Sequence, residues 1–169
     1  MLVVTETWFM AEFVSVDPFN LVIFGGTGDL AQRKLLPALF HRWKDGQIPE
    51  TSRIVGSARK MLIQSQYRAF AKEACKASTK GGEWDGDSWK AFARLLDYQV
   101  LDATAEDADW AGLKARLDTA HEINVYYLAT SPSLYVDITN ALDAADLNNP
   151  NSRLVLEKPI GTDLASAKA

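Results

Sequence analysis

The chain has 169 residues, of which 47% are hydrophobic and 24% are charged. This length and composition fit one globular domain with its own core and exclude a wholly disordered chain. The 18 basic and 22 acidic residues give a net charge of −4, which argues against nucleic-acid binding, since that requires clustered cationic charge. The single cysteine excludes an intrachain disulfide and favours a reducing compartment, so we expect a cytoplasmic protein.

The apolar N-terminus fits neither a membrane span nor a secretory signal. No stretch of about eighteen apolar residues lacks a charge. The first cationic residue is Arg33, and Glu6 and Glu12 interrupt the apolar run. We therefore predict a partly disordered leader over residues 1–19 and one domain over residues 20–169, with no membrane or metal involvement.

Short apolar runs alternate with amphipathic stretches after this leader, which predicts alternating strands and helices. The predicted strands are residues 21–24, 53–57, 98–101, 124–129 and 153–156. The first predicted helix starts near Asp29, with a bend or break at Pro37, and the others span residues 63–75, 88–95, 110–117 and 134–145. Residues 80–87 form a predicted surface loop. This order predicts a parallel sheet with helices on both faces, a doubly wound (Rossmann-like) α/β domain. Its ligand site would lie outside the carboxyl ends of the strands.

A glycine-rich turn follows the first predicted strand. Its residues are Gly25, Gly26, Thr27, Gly28, Asp29, Leu30 and Ala31. Gly26, Gly28 and Ala31 match the G-x-G-x-x-A fingerprint of dinucleotide-binding domains. Glycine permits a tight turn and lets a pyrophosphate approach the N–H groups of the helix N-terminus. We favour a phosphate site over a plain turn, and we interpret Asp29 on its own as a helix cap.

The end of the second strand bears on the choice of nicotinamide cofactor. NAD-binding domains usually have an acidic residue here, but no acid occurs between Arg53 and Glu73. Arg59 instead suits the 2′-phosphate of NADP, and the Thr27 and Ser57 hydroxyls are further donors. NADP is therefore favoured over NAD, although Arg59 is also compatible with the start of a solvated helix.

The remaining strand ends carry weaker signals. Gln99 and Val100 end the third strand, where an adenosine would lie, but core packing also explains Val100. Residues 130–133 either leave room for a nicotinamide ribose or simply begin a helix. Lys158 follows the fifth strand, where an ammonium would orient a substrate hydroxyl, although an isolated lysine is more often a surface residue.

Together these segments resemble the coenzyme domain of the glucose-6-phosphate dehydrogenase family. The resemblance rests on FGGTGDLA and RKLLP within residues 24–37, GSAR at 56–59, YLA at 127–129 and EKPIGTDL at 157–164, and it covers about residues 20–169. It implies that residues 25–31 and Arg59 hold NADP, that Gln99 and Val100 line the adenosine side, and that Lys158 contacts nicotinamide and sugar as a catalytic residue. Gln32 departs from the family, in which a lysine is common.

The family oxidises glucose 6-phosphate to its lactone with NADP in the pentose phosphate pathway, and the resemblance implies a homo-oligomer for the full-length protein. The Asp-His-Tyr-Leu-Gly-Lys segment that supplies the family's general base is absent from this chain. His41 and His121 are better interpreted as structural or surface residues. We therefore expect a C-terminally truncated coenzyme domain without dehydrogenase activity of its own.

Two alternatives stay open at this point. A sugar dehydrogenase of the glucose–fructose oxidoreductase type also has Glu-Lys-Pro after a Rossmann strand, although the G-D-L-A-x-x-K string argues against it. A stand-alone, non-catalytic NADP-binding module is the other alternative.

Overall fold

Five parallel strands form the centre of the molecule in the computed structural model, which describes residues 16–79, 84–121 and 123–157. The strands are β1 (Phe19–Phe24), β2 (Arg53–Ala58), β3 (Leu96–Val100), β4 (Ile123–Leu128) and β5 (Arg153–Leu156). Their order in the sheet is β3-β2-β1-β4-β5, and every neighbouring pair is parallel.

The strand order reverses at β1. The chain runs from β1 to β2 and β3 on one side and then returns to place β4 on the other side, which creates the strand-order reversal between β1 and β4. The predicted doubly wound α/β fold is confirmed. Residues 1–15 of the predicted leader lie outside the described part.

The helices connect these strands as the alternation predicts. They are a π-helical segment (Ala31–Leu35) continuous with α1 (Leu36–Lys44), then α2 (Gln64–Ser78), α3 (Gly86–Phe92), α4 (Trp110–Lys114), and a 3-10 turn (Pro132–Leu134) that leads into α5 (Tyr135–Ala144). Among the helices of the described segments, none combines the length and apolar character needed to cross a membrane.

The predicted interruption near Pro37 is a change in helical hydrogen bonding. Pro37 has no N–H, and its ring crowds the carbonyl four residues earlier. The Leu36 N–H donates to the Ala31 carbonyl, five residues back, so the turn before the proline is π-helical. The helix nevertheless continues to Lys44.

Three helix predictions differ from the structure in detail. The predicted helix over 63–75 includes Ile63, but Ile63 precedes α2, and it is 66% exposed. The helix α3 begins at Gly86 because the Asp85 carboxylate accepts the N–H groups of Asp87 and Ser88, so the helix includes the end of the predicted surface loop. The helix α4 ends at Lys114, three residues before Leu117.

The side chains of β1 alternate between two cores. Leu21 and Ile23 belong to the cluster beneath α1, α2 and α3, while Val22 and Phe24 belong to the cluster beneath α4 and α5. All four are buried. A strand that buries both faces has no polar side to alternate with, which explains its uninterrupted apolar sequence.

Candidate functional site

A pocket of about 560 Å³ opens outside the carboxyl ends of β1 to β4. We call it the switch-point pocket. Residues at or just beyond the carboxyl ends of four strands line it, with two residues of the segment after β4: Phe24, Gly25, Thr27 and Gly28 at β1, residues 57–60 at β2, residues 101–104 at β3, Thr130 and Ser131 at β4, and Leu134 and Ile138. Pockets of about 300–1,000 Å³ are typical of small-molecule and cofactor sites. The pocket lies where the doubly wound topology places ligands.

The glycine turn is tied to the end of β2 by its own backbone. The N–H groups of Gly25 and Gly26 both donate to the Ser57 carbonyl, at 2.8 and 3.0 Å. Gly25 has a φ of +83°, and a Cβ there would lie 2.5 Å from the Ala129 carbonyl oxygen. A Cβ on Gly26 would lie 2.8 Å from the Gly56 Cα. These two glycines are therefore required by the packing of the turn against β2 and β4, and their N–H groups are already bonded.

The helix that follows presents unbonded N–H groups beside the pocket. The Gln32 N–H donates to the Gly28 carbonyl at 3.0 Å, which makes Gly28 the residue before the first helical turn. The N–H groups of Asp29, Leu30 and Ala31 then have no partner within the helix. Gly28 itself lines the pocket, and Ala31 is fully buried against the sheet. This positive end of a helix is suited to a phosphate.

Asp29 does not take the capping role expected from its position. Its carboxylate pairs with the Arg33 guanidinium, Nε to Oδ1 at 2.6 Å, and both side chains are 74% exposed. An exposed pair of this kind contributes little stability. Within the described part of the chain, neither Asp29 nor Leu30 lines the pocket with its side chain.

Two buried hydroxyl groups in the pocket lining lack partners. Ser57 Oγ and Thr130 Oγ1 have no hydrogen-bond partner among the described residues, and both residues line the pocket. Buried polar atoms are nearly always satisfied in folded proteins, so these hydroxyls fit a polar ligand such as the phosphates or ribose of a dinucleotide. Residues 130–131 line the pocket and lead into the 3-10 turn that begins at Pro132, so the predicted helix start is confirmed, and room for a nicotinamide ribose stays a prediction.

The exposed Arg59 and Lys60 line the pocket beyond the end of β2. Asp102 lines the same region. Its carboxylate accepts the Thr104 hydroxyl at 2.7 Å and the Thr104 N–H at 3.1 Å. These bonds, and more weakly the charge of Arg59, lower the pKa of Asp102. The sequence analysis does not predict Asp102 at the pocket, because it considers acidic residues only after β2; the signal for Asp102 is its place directly after β3.

Gln99 and Val100 are not part of the pocket lining among the described residues. Gln99 is buried, and its Nε2 donates to the Asp109 carboxylate at 3.0 Å and to the Val100 carbonyl at 3.0 Å. The strand β3 starts earlier than predicted and ends at Val100, so the residues that reach the pocket are 101–104.

Neither histidine lies in the pocket. His41 is exposed on α1. His121 places Nε2 at 2.7 Å from the Thr51 carbonyl, near the start of β2 and thus at the opposite edge of the sheet from the pocket. These positions agree with the structural or surface roles predicted for them. Lys158, the predicted catalytic residue, lies outside the described residues.

Comparison with known proteins adds independent information. The sequence model of the family described as "Glucose-6-phosphate dehydrogenase, NAD binding domain" matches residues 22–169. Glucose-6-phosphate 1-dehydrogenase of Rhizobium meliloti is 43% identical over 158 residues, and that of Gluconobacter oxydans is 44% identical over 162 residues. These alignments cover 93% and 95% of this chain but only 32% and 33% of the relatives.

Solved structures agree with the sequence relatives. The crystal structure of glucose-6-phosphate 1-dehydrogenase from Mycobacterium avium has a TM-score of 0.78 and 32% identity, covering 91% of this chain and 32% of that protein. A glucose-6-phosphate dehydrogenase in complex with glucose 6-phosphate has a TM-score of 0.75 and 26% identity, covering 92% and 33%. The chain therefore spans about a third of these relatives, and it belongs to the family of glucose-6-phosphate dehydrogenase NAD-binding domains.

Proposed function

We propose that this chain is the NADP-binding domain of an enzyme that oxidises glucose 6-phosphate. The observation that carries the proposal is the composition of the switch-point pocket, whose lining combines a helix N-terminus, two cationic side chains and two unpartnered hydroxyl groups. A dinucleotide with a pyrophosphate and a 2′-phosphate matches these groups. The family membership supports the same ligand class.

Each group in the pocket has a defined part in this proposal. The N–H groups that begin the helix after Gly28 would bind the pyrophosphate, and Arg59 would bind the 2′-phosphate through charge-assisted hydrogen bonds. The hydroxyl groups of Ser57 and Thr130 would form hydrogen bonds with the bound dinucleotide. When bound, the nicotinamide ring supplies the hydride acceptor.

The wider activity of the relatives extends the proposal beyond the pocket. Residues 20–169 would form the coenzyme domain behind the leader at 1–19, and Lys158 would contact the nicotinamide and the sugar. Glucose 6-phosphate would then be the substrate of a cytoplasmic, homo-oligomeric whole protein. The named activity of the matched relatives supports this substrate.

NAD is the second candidate cofactor, and Asp102 is the observation that favours it. A carboxylate held by Thr104 inside the pocket is a hydrogen-bond acceptor for ribose hydroxyls and repels a 2′-phosphate. Measuring both nucleotides on the same protein therefore tests the cofactor preference directly.

The primary test is isothermal titration calorimetry of the 169-residue chain with NADP and with NAD. We expect saturable binding of NADP with one site per chain, and weaker binding of NAD, because only NADP carries the 2′-phosphate that Arg59 would meet. Absence of any heat of binding at millimolar NADP would overturn the proposed cofactor site. Tighter binding of NAD than of NADP would overturn the preference alone.

Arg59→Ala tests the 2′-phosphate role. We expect its Kd for NADP to rise about tenfold or more, since hydrogen bonds to charged groups contribute roughly 1.5 kcal/mol or more, whereas its Kd for NAD should change less than about twofold. Arg53→Ala is the matched control, because it removes the same charge from the exposed start of β2, away from the pocket. Equal losses for the two nucleotides in Arg59→Ala would contradict the assignment.

A further inference from the structure

The hydroxyl of Tyr98 reaches the loop that carries Arg59. Tyr98 lies on β3 opposite Gly56 of β2 and is 2% exposed. Its O–H is 2.7 Å from the Lys60 carbonyl oxygen and 3.3 Å from that of Ala58. A hydroxyl donates one hydrogen, and the shorter contact identifies Lys60 as its acceptor. The Ala58 carbonyl in turn accepts the Leu101 N–H at 3.0 Å. The carbonyls of the residues before and after Arg59 are thus both held by β3 and its extension.

The ring beneath this hydroxyl is held in place by its packing. Tyr98 stacks on Tyr67 with ring centroids 4.7 Å apart, and Tyr67 is fully buried against Gly56. Burial also raises the pKa of Tyr98 to about 12, so its hydroxyl remains protonated through the neutral range. The result is a rigid donor under an exposed, irregular segment whose side chains, Arg59 and Lys60, face the pocket.

Tyr67 provides the internal contrast. It has the same side chain in the same stack, yet its hydroxyl has no hydrogen-bond partner among the described residues. Burial of that phenol contributes packing without a polar bond. The two hydroxyls therefore differ in one respect, a bond to the Arg59 loop, and this difference can be tested by removing each oxygen separately.

We propose that Tyr98 is a positioning residue for NADP: its hydroxyl fixes the backbone around Arg59 so that the guanidinium is directed at the 2′-phosphate. This inference rests on the proposed function of the pocket. The role is indirect, since Tyr98 acts through the Lys60 carbonyl and does not itself line the pocket.

The test compares Tyr98→Phe with Tyr67→Phe by calorimetry with NADP and NAD. In Tyr98→Phe we expect the Kd for NADP to rise roughly fivefold, the change produced by loss of one typical hydrogen bond, with less than about a twofold change for NAD. Tyr67→Phe should leave both constants unchanged. Equal weakening of the two nucleotides in Tyr98→Phe, or no weakening of NADP, would overturn the positioning role.

A double variant shows whether Tyr98 works through Arg59. In the Arg59→Ala background, Tyr98→Phe should cause no further loss of NADP affinity, because the group that it positions is gone. Additive losses would overturn the proposal. Hydrogen exchange gives a readout that needs no ligand: the Leu101 amide, which donates to the Ala58 carbonyl at 3.0 Å, should exchange faster in Tyr98→Phe than in Tyr67→Phe, and unchanged exchange would also overturn the proposal.

The outcomes separate the two levels of inference. If the unsubstituted chain binds no NADP, the proposed function of the pocket fails and the positioning role fails with it. If NADP binds and the Tyr98→Phe loss is not selective, only the role of Tyr98 fails.

Discussion

Gly25→Ala is expected to lower the free energy of unfolding by about 2–4 kcal/mol, the sum of a left-handed backbone penalty and an overpacking penalty. The residue has a φ of +83°, and an added Cβ would lie 2.5 Å from the Ala129 carbonyl oxygen. That oxygen belongs to the backbone at the end of β4 and cannot turn aside as a flexible side chain does. Because the turn must shift to accept the methyl group, dinucleotide binding should also weaken at least about tenfold. Urea unfolding and calorimetry measure the two effects.

Gly46→Ala is the matched control for this experiment. Gly46 has a similar φ of +72°, but nothing lies within 4 Å of the Cβ that alanine would add. We expect only the backbone penalty, about 1 kcal/mol, and no effect on nucleotide affinity. Equal destabilisation by the two substitutions would contradict the steric role assigned to Gly25.

Gly56→Ala is expected to lower the free energy of unfolding by about 2–4 kcal/mol, because overpacking in a dense core forces side chains and backbone to move. The new Cβ would overlap the Cζ and hydroxyl oxygen of Tyr67, whose ring is fully buried and stacked on Tyr98. Gly56 also packs against the glycine turn, since a Cβ on Gly26 would lie 2.8 Å from the Gly56 Cα. Urea denaturation of the variant and of the unsubstituted chain measures this loss.

Two further variants isolate the overlap with Tyr67. Combining Gly56→Ala with Tyr67→Phe should recover part of the loss, since the hydroxyl is among the nearest atoms and has no partner of its own to lose. Gly86→Ala, at the start of α3 with open space around it, should be neutral or stabilising by about 0.5 kcal/mol. Strictly additive effects of Gly56→Ala and Tyr67→Phe would exclude a direct clash.

The features predicted from sequence are those that depend on local pattern. An apolar run such as residues 21–24 identifies a strand buried on both faces, and the alternation of such runs with amphipathic stretches is enough to predict the parallel sheet. The glycines at 25, 26 and 28 mark the first turn: Gly25 has a positive φ, and a Cβ at any of the three would crowd neighbouring backbone atoms. Arg59 was likewise placed at the pocket by its distance from the end of β2.

The features that the sequence does not predict depend on which of several possible partners a side chain contacts in the folded chain. Asp29 was interpreted as a cap because its position suits one, but an arginine one turn later takes its carboxylate. Gln99 is turned toward the start of α4 by Asp109, and a shift in the end of β3 brings Asp102 to the pocket instead. In the Tyr67–Tyr98 stack, only the Tyr98 hydroxyl has a hydrogen-bond partner among the described residues. This depends on the path of the chain after β2, which no local sequence pattern predicts.

The two hydrogen bonds from Gly25 and Gly26 to the Ser57 carbonyl have a consequence for ligand binding in the pocket. They join the glycine turn directly to the strand end that leads into Arg59, so the backbones of these two parts of the pocket lining form one hydrogen-bonded unit. Because folding already orders the backbone of the glycine turn relative to the end of β2, ligand binding loses no further conformational entropy in ordering these two segments. Under the proposed function, this fixed backbone would favour ligands whose two anionic groups match the spacing between the glycine turn and Arg59.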